Sequence, residues 1–374
     1  MVRRLKASLP GTNLELTGDY NQRLVYQAIR TRGPITRHTL TELTGLAKPT
    51  IAGIVKRLIK SDLVSEMGRV YGGRGQPAVH LKTNSKGCYS IGLHVDEGRL
   101  ALVVVDALGK AVSRTSTDLP SAARSRISRF FRQGFVELTR DIRPDRIIGL
   151  GIALSGRVAP HHDTDAEPVS DGVGIDLLAL SEIAQGIPIY IDSDLAAATA
   201  GESLFGLGAS LRSYYYILMD VRPVGGLVVH QTLYKGAHPG RRRFLFPDGE
   251  LGWCQEAIAA ERETRLDRRV PPPVDEAWLA AACDSLLPLL ISVNCMLNPG
   301  GVLFGGSFPQ EWTKALAARC NDLLLERAPQ IPSHAGIQPA RLAADMTLIG
   351  AASLPMRARL YPIEEALLKD RDHG

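Results

Sequence analysis

"YSIGLHVDEGRLALVVVDALGKAV", residues 89–112, decides how the chain is read. Two runs of aliphatic and β-branched residues flank the polar HVDEG, a pattern of strand, tight turn, strand. A second stretch, "YYYILMDVRPVGGLVVHQTLYKGA" (214–237), has the same layout and starts 125 positions after the first, Tyr214 against Tyr89. Further strand-like runs, "RIIGLGIAL", "IPIYID" and "GVLFGG", alternate with helical ones, "LAAATAGESLFG" and "EAWLAAACDSLLPLLISVNCML". Alternation of this kind implies α/β lobes with helices packed on mixed sheets. A hairpin-first lobe repeated once would leave a cleft between its copies.

The segment before the first hairpin has a different character. Residues 1–82 hold 14 lysines or arginines against 5 acidic residues, whereas the remainder holds 30 against 34. A basic head on a mildly acidic body implies that the head meets a polyanion. Within it, "NQRLVYQAIRTRG" places Leu24, Val25 and Ile29 near one helical face and stops at Gly33-Pro34. "ITRHTLTELTGL" opens with Thr36 as an N-cap and breaks at Gly45. "AKPTIAGIVKRLIKSDLV" follows, with Pro49 in its first turn and a buried stripe of Ile51, Ile54, Val55, Leu58 and Ile59. Its other face carries Thr50, Gly53, Lys56 and Arg57, with Lys48 just ahead of the first turn, and Lys48, Pro49, Thr50, Lys56 and Arg57 are the expected contacts to DNA. The order is that of a helix-turn-helix whose second member enters a major groove. Ala47 stands where a Ser or Thr would cap that helix, a deficit of about 1 kcal/mol. Two short strands, 63–67 and 78–81, then flank the tip Gly72-Gly73-Arg74-Gly75, a wing whose Arg74 is placed for a minor groove or a phosphate. A basic three-helix bundle with a surface hairpin is the plainer alternative.

Bulk properties narrow the class. The 374 residues suffice for two or three domains, and 45% hydrophobic with 22% charged residues is ordinary for a chain with a buried core. No apolar run reads as approaching the roughly 20 residues of a membrane helix. The N-terminal residues lack the apolar segment of a secretory signal. Cys88, Cys254, Cys283, Cys295 and Cys320 are scattered without a C-x-x-C pair, against a disulfide framework or a cysteine-rich zinc site. The expectation is a reduced, cytoplasmic protein without a membrane partner.

"IYIDSDLAAATAGE" (189–202) ends a strand in Asp192 and Asp194 and enters a helix at once. A carboxylate there serves as a base, a hydroxyl acceptor or a helix cap.

These stretches, with "GGRGQPA", "GLGIALSGRV", "IDSDLAAATAGESLFGLG", "LYKGAH", "PDGELGWCQEAIAA" and "LNPGGVLFGGS", give the chain a resemblance to ROK-family transcriptional regulators. ROK joins repressors and sugar kinases, and the likeness runs from about Asn21 to Ala352. It implies an N-terminal winged helix-turn-helix followed by an actin-like or hexokinase-like (ribonuclease H-like) two-lobed α/β body. The domains would be 1–82 and 88–374, the latter in lobes of about 88–200 and 201–374. It also implies a double-stranded DNA operator, a sugar or sugar-phosphate effector or a protein partner, and a homodimer or homotetramer.

The family's working motifs are altered here. Its kinases cradle ATP phosphates on an Asp-x-Gly-Gly-Thr turn. This chain reads His94-Val95-Asp96-Glu97-Gly98, with carboxylates where phosphate would sit. The second such turn, Asp220 to Gly226, contains Pro223, which lacks a backbone donor. Gly305-Gly306 remains of the nucleotide side. The family's zinc site takes one histidine and three cysteines, and only Cys254 is present, with His238 nearby. No cofactor and no metal are expected. Asp194 matches the family's catalytic or hydroxyl-binding aspartate, with Ser193 in place of the preceding asparagine. Glu256 matches a glutamate that holds sugar hydroxyls. The Gly-Glu-x-Gly-His box falls either in "HPGRR", beside Arg241, Arg242 and Arg243, or in "GELGW", with Glu250 and Trp253. In the first register the arginines would suit an anionic effector. The reading that follows is a DNA-binding regulator, a repressor of sugar-related genes, with a catalytically inactive sugar-kinase-like body. The alternatives are an active sugar kinase with a DNA-binding head and a regulator answering only to a protein partner.

Overall fold

The computed structural model describes residues 14–70, 78–96, 98–119, 124–155, 175–236, 245, 251–267, 270–327, 329, 331, 333–341 and 346–363. At the front, α1 (Leu14–Arg32), β1 (Ile35–Thr36), α2 (Arg37–Thr44), α3 (Lys48–Lys60), β2 (Val64–Val70) and β3 (Ala78–Thr83) follow one another. The strands form an antiparallel sheet in the order β1-β3-β2. Val25, Ile29, Leu40, Ile51, Ile54, Val55, Leu58 and Leu81 meet in one core. Each such fully buried aliphatic side chain contributes about 1.5–3 kcal/mol. The Thr36 hydroxyl accepts from the Thr39 amide at 3.2 Å to start α2, and Gly45 ends it at φ 69°, a left-handed value that suits glycine. α3 starts at Ala47 with no side-chain cap and Pro49 in its first turn. The helix expected from Asn21 begins earlier, at Leu14, and β1 is too short to leave a period in the sequence.

The body repeats one plan twice. β4 (Tyr89–Asp96), β5 (Gly98–Asp106), β6 (Ala111–Leu119), β7 (Ile147–Leu154) and β8 (Ile189–Ser193) form a sheet in the order β6-β5-β4-β7-β8. β4, β5 and β6 run antiparallel, and β7 and β8 run parallel to β4. α4 (Arg124–Thr139) and α5 (Leu177–Ile183) cover its outer face through Ile127, Phe131, Phe135, Leu180 and Ile183. α6 (Asp194–Phe205) follows β8. The second copy comprises β9 (Ser213–Met219), β10 (Val224–Val229), β11 (Thr232–Leu233), α7 (Gly252–Asp267), α8 (Glu276–Leu297), β12 (Val302–Gly306), α9 (Gln310–Glu326), β13 (Ile337–Pro339) and α10 (Met346–Leu360). Its sheet order, β11-β10-β9-β12-β13, has the same senses. Trp253, Trp278, Leu286, Trp312 and Leu316 of α7, α8 and α9 cover its outer face.

Between the sheets lie α6 and α10. Leu204, Leu348, Ile349, Ala352 and Met356 pack on Ala101, Val103 and Val105 of the first sheet. Leu195, Ala198 and Met346 pack on Tyr214, Tyr216, Leu218 and Leu303 of the second. Small residues let these helices approach closely. A Cβ on Gly350 would overlap the Ala197 carbonyl, and one on Gly151 the Ala351 carbonyl.

The sequence expectation that no stretch suits a membrane needs correction. α8 is 22 residues long, an 18-residue window of it has a mean hydropathy of 1.7, and it is long and apolar enough to cross one. Its apolarity is used otherwise, since Trp278, Cys283, Leu286, Leu290 and Val293 pack into the core of the second lobe.

Candidate functional site

On the head, the buried stripe of α3 turns the opposite face outward. Lys48, Pro49, Thr50, Lys56 and Arg57 are all exposed on it. A Cβ on Gly53 would meet nothing nearer than the Arg57 guanidinium at 3.9 Å, so the middle of this face is open. Arg57 is steadied from its Nε, which donates to Gln22 Oε1 of α1 at 2.8 Å. Such a face offers fixed positive charge and a bare backbone approach, which suits a phosphate-lined groove. Arg74, assigned to the wing tip, lies outside the described residues.

In the body, His94, Asp96, Ser155, Asp194, Leu218, Asp220, Ser307 and Thr347 line a narrow recess between the sheets, open to solvent and with free room for about one water. They come from equivalent places in the two copies. His94 opposes Ala153 across β4 and β7, as Leu218 opposes Gly305 across β9 and β12. Two residues further along the chain, at or just past the strand ends, stand Asp96 and Asp220, and Ser155 and Ser307. The Ser155 amide donates to Val95 O at 3.0 Å and the Ser307 amide to Met219 O at 2.8 Å, the same bond in both copies. Asp194 and Thr347 occupy the first turns of α6 and α10.

Local chemistry fixes several of these groups. Ser193, not Asp194, caps α6: its hydroxyl accepts from the Ala196 amide at 3.3 Å. Asp194 Oδ1 accepts from the Leu195 amide at 2.7 Å, and the side chain is buried at the recess wall. Burial lowers the His94 pKa below its ordinary 6.5, Asp96 opposing and Arg99 assisting the shift. The imidazole is therefore neutral at pH 7. His94 Nε2 and Ser155 Oγ are sealed from solvent without a hydrogen-bond partner, and both residues line the recess. Unpaired buried polar atoms cost about 1–3 kcal/mol each, a cost that a hydroxyl-bearing ligand would offset.

Other expected residues fall elsewhere. Glu256 lies exposed on α7 and is not among the lining residues, so the structure does not join it to Asp194. The α7 turn instead buries its neighbours Trp253, Cys254 and Ala257, which leaves Glu256 on the outer side. Cys254 sits in the second core, its thiol pKa raised by burial. Among the described residues, no group of three His, Cys, Asp or Glu side chains is placed to hold a metal ion. Glu97, His238, Arg241, Arg242, Arg243 and Glu250 lie outside the described residues. Gly305 and Gly306 have a structural cause. A Cβ on Gly305 would strike the Tyr216 hydroxyl, and Gly306 has φ 120° with its α-hydrogen side against Met219 O. Sequence reasoning missed Ser155, Ser307 and Thr347. The signal was available for the serines, since each closes the fourth strand of its copy, in "IALS" and "FGGS".

Comparison with known proteins bears on both surfaces. No family model matches the chain. It is 27% identical over 230 residues to the xylose repressor of Bacillus spizizenii, a match that covers 58% of this chain and 57% of the relative. It thus spans little more than half of that relative's length. Against the DNA-binding transcriptional repressor Mlc of Escherichia coli it is 24% identical over 391 residues, covering 89% and 92% of the two chains. A crystal structure of a ROK family transcriptional regulator, a homologue of E. coli Mlc, superposes with a TM-score of 0.61 at 21% identity, over 93% of this chain and 97% of that one. The ROK hexokinase of Thermus thermophilus gives 0.51 at 21% identity, over 72% and 99%. These structures establish a shared fold, with a kinase-like body.

Proposed function

We propose that this chain, a ROK-family regulator by its sequence and fold relationships, is a DNA-binding transcriptional repressor of sugar-related genes. Residues 1–82 act as a winged helix-turn-helix, and residues 88–374 sense the effector and mediate assembly as a homodimer or homotetramer in the cytoplasm. The observation that carries this reading is the exposed face of α3, where Lys48, Pro49, Thr50, Lys56 and Arg57 surround the bare Gly53. With Arg74 on the wing, it would grip an operator half-site, two heads spanning a pseudo-palindrome.

In this reading the recess, narrow in this structure, widens to admit a sugar-like effector, with Asp194 accepting a ligand hydroxyl and Ser155 and His94 completing their unmet hydrogen bonds. It is not a nucleotide site. Asp96 and Asp220 line it at the two hairpin turns, where triphosphate oxygens would meet like charge. Without a phosphate donor, Asp194 has no transfer to assist, and the body is catalytically inactive.

Gel shifts of the intact chain on fragments of its own genome test the first part. A few fragments should remain bound under excess competitor DNA and be released as salt rises. Equal retention of every fragment would sink the repressor reading. ATP-dependent phosphorylation of a hexose, abolished by Asp194→Asn, would sink the inactive body.

A further inference from the structure

The two helices that begin at the recess end together on the head. α6 starts at Asp194 and finishes at Phe205, and α10 starts at Met346 and ends at Leu360, with Tyr361 directly after it. At about 1.5 Å per residue, these are rods of roughly 18 and 22 Å. Their far ends converge on one side chain of α1. The Arg30 guanidinium carbon lies 5.3 Å from the centre of the Phe205 ring and 5.5 Å from that of Tyr361. Arg30 also donates from a terminal nitrogen to the Tyr361 hydroxyl at 2.6 Å, and Gln27 Nε2 donates to the same oxygen at 2.7 Å. Arg30 Nε holds Gln27 Oε1 at 3.0 Å. One turn earlier, Arg23 donates to the Ala358 carbonyl at 2.7 Å.

The joint is half-buried, with Tyr361 itself buried, and spans both parts of the molecule. Tyr361 belongs to the core between α6, α10 and the first sheet, whereas its neighbour Leu360 packs against the core of the head. From α1 the connection continues to the basic face, because Gln22 holds Arg57 of α3. Close backbone contact between α6 and α10, at Gly350 against Ala197, leaves little slack. A packed helix moves as a unit, so displacement at its first turn reaches its last.

We propose that Arg30 and Tyr361 are positioning residues that transmit the state of the recess to α3, setting how its basic face is presented. The proposal rests on the reading of the recess as an effector site and of the head as DNA-binding. A ligand held by Asp194 and Thr347 would shift both rods, and Arg30, clasped by their two ends, would carry the shift into α1.

A double-mutant cycle in the full-length chain tests this, read as deuterium uptake by peptides of α1 and α3. Ser307→Phe wedges the recess from the second lobe, with Ser307→Val as a smaller wedge should the first fail to fold. Tyr361→Phe removes the hydroxyl that takes both head bonds and keeps the ring in its core. The wedge should change uptake in α1 and α3 by at least twofold, and less than half of that change should persist beside Tyr361→Phe or Arg30→Gln. A merely structural role for Tyr361 would raise uptake equally with and without the wedge, and that additivity would overturn the proposal. So would a wedge without effect on either helix. Fluorescence anisotropy on a mixed-sequence duplex runs in parallel. Binding by the unchanged chain together with additive uptake refutes the joint alone. Coupled uptake in a chain with no attraction to duplex supports the joint and refutes the DNA-binding reading.

Discussion

Burial holds the His94 imidazole below its ordinary pKa, so the folded chain binds fewer protons at this site than the unfolded chain does. The associated stability is whole above pH 6.5 and is lost as pH falls from there toward the depressed value. The slope reaches at most about 1.4 kcal/mol per pH unit. Urea midpoints at pH 7.5 and 5.5 check it: His94→Gln should lose less stability than the parent over that interval. Equal losses would show that Asp96, Asp194 and Asp220, which share the recess, hold the protonated ring as readily as water does. At this scale the sequence was only partly legible. "IDSD" announced a polar strand end, but which side chain caps α6 depended on backbone angles, and Ser193 took that role. Glu256 matched a motif, yet its side of α7 faces outward.

Among the elements, α3 was the most legible, because Ile51, Ile54, Val55 and Leu58 recur at helical spacing and are buried as that spacing requires. Gly53 is the exception within it. An alanine methyl there meets only the Arg57 guanidinium, at an ordinary 3.9 Å, so Gly53→Ala should stabilise the chain by about 1 kcal/mol through helix propensity alone. The same methyl stands in the middle of the proposed groove face. Duplex affinity should fall on the order of tenfold, about 1.4 kcal/mol, while the thermal midpoint rises. A stabilised variant with undiminished affinity would remove the close backbone approach from the mechanism. α10 was illegible for the opposite reason. Wedged between two sheets, it is buried nearly all round and carries no apolar stripe. α8 misled in a third way, since a helix in the core of a large lobe and one that crosses lipid can share a composition.

For the molecule as a whole, the asymmetry of charge was plain in the sequence, 14 basic against 5 acidic residues in the first 82. If that charge works by displacing counterions from a duplex, Lys56→Ala should reduce the slope of log affinity against log salt by about 0.9, one phosphate contact. Because Lys56 is exposed, stability should stay within about 0.5 kcal/mol. An unchanged slope would place Lys56 away from the backbone. The two-lobed plan was legible from the paired hairpins at Tyr89 and Tyr214. The recess was not, because it needs the register of β4 on β7 and of β9 on β12, which no local pattern encodes. Since each wall repeats the same four positions, one half facing its own twin would enclose the same space, and the chain is in effect a dimer made covalent. Asp96 corresponds to Asp220 and Ser155 to Ser307, but His94 corresponds to Leu218 and Asp194 to Thr347. Such lopsided walls would let an effector of the proposed kind lie one way only.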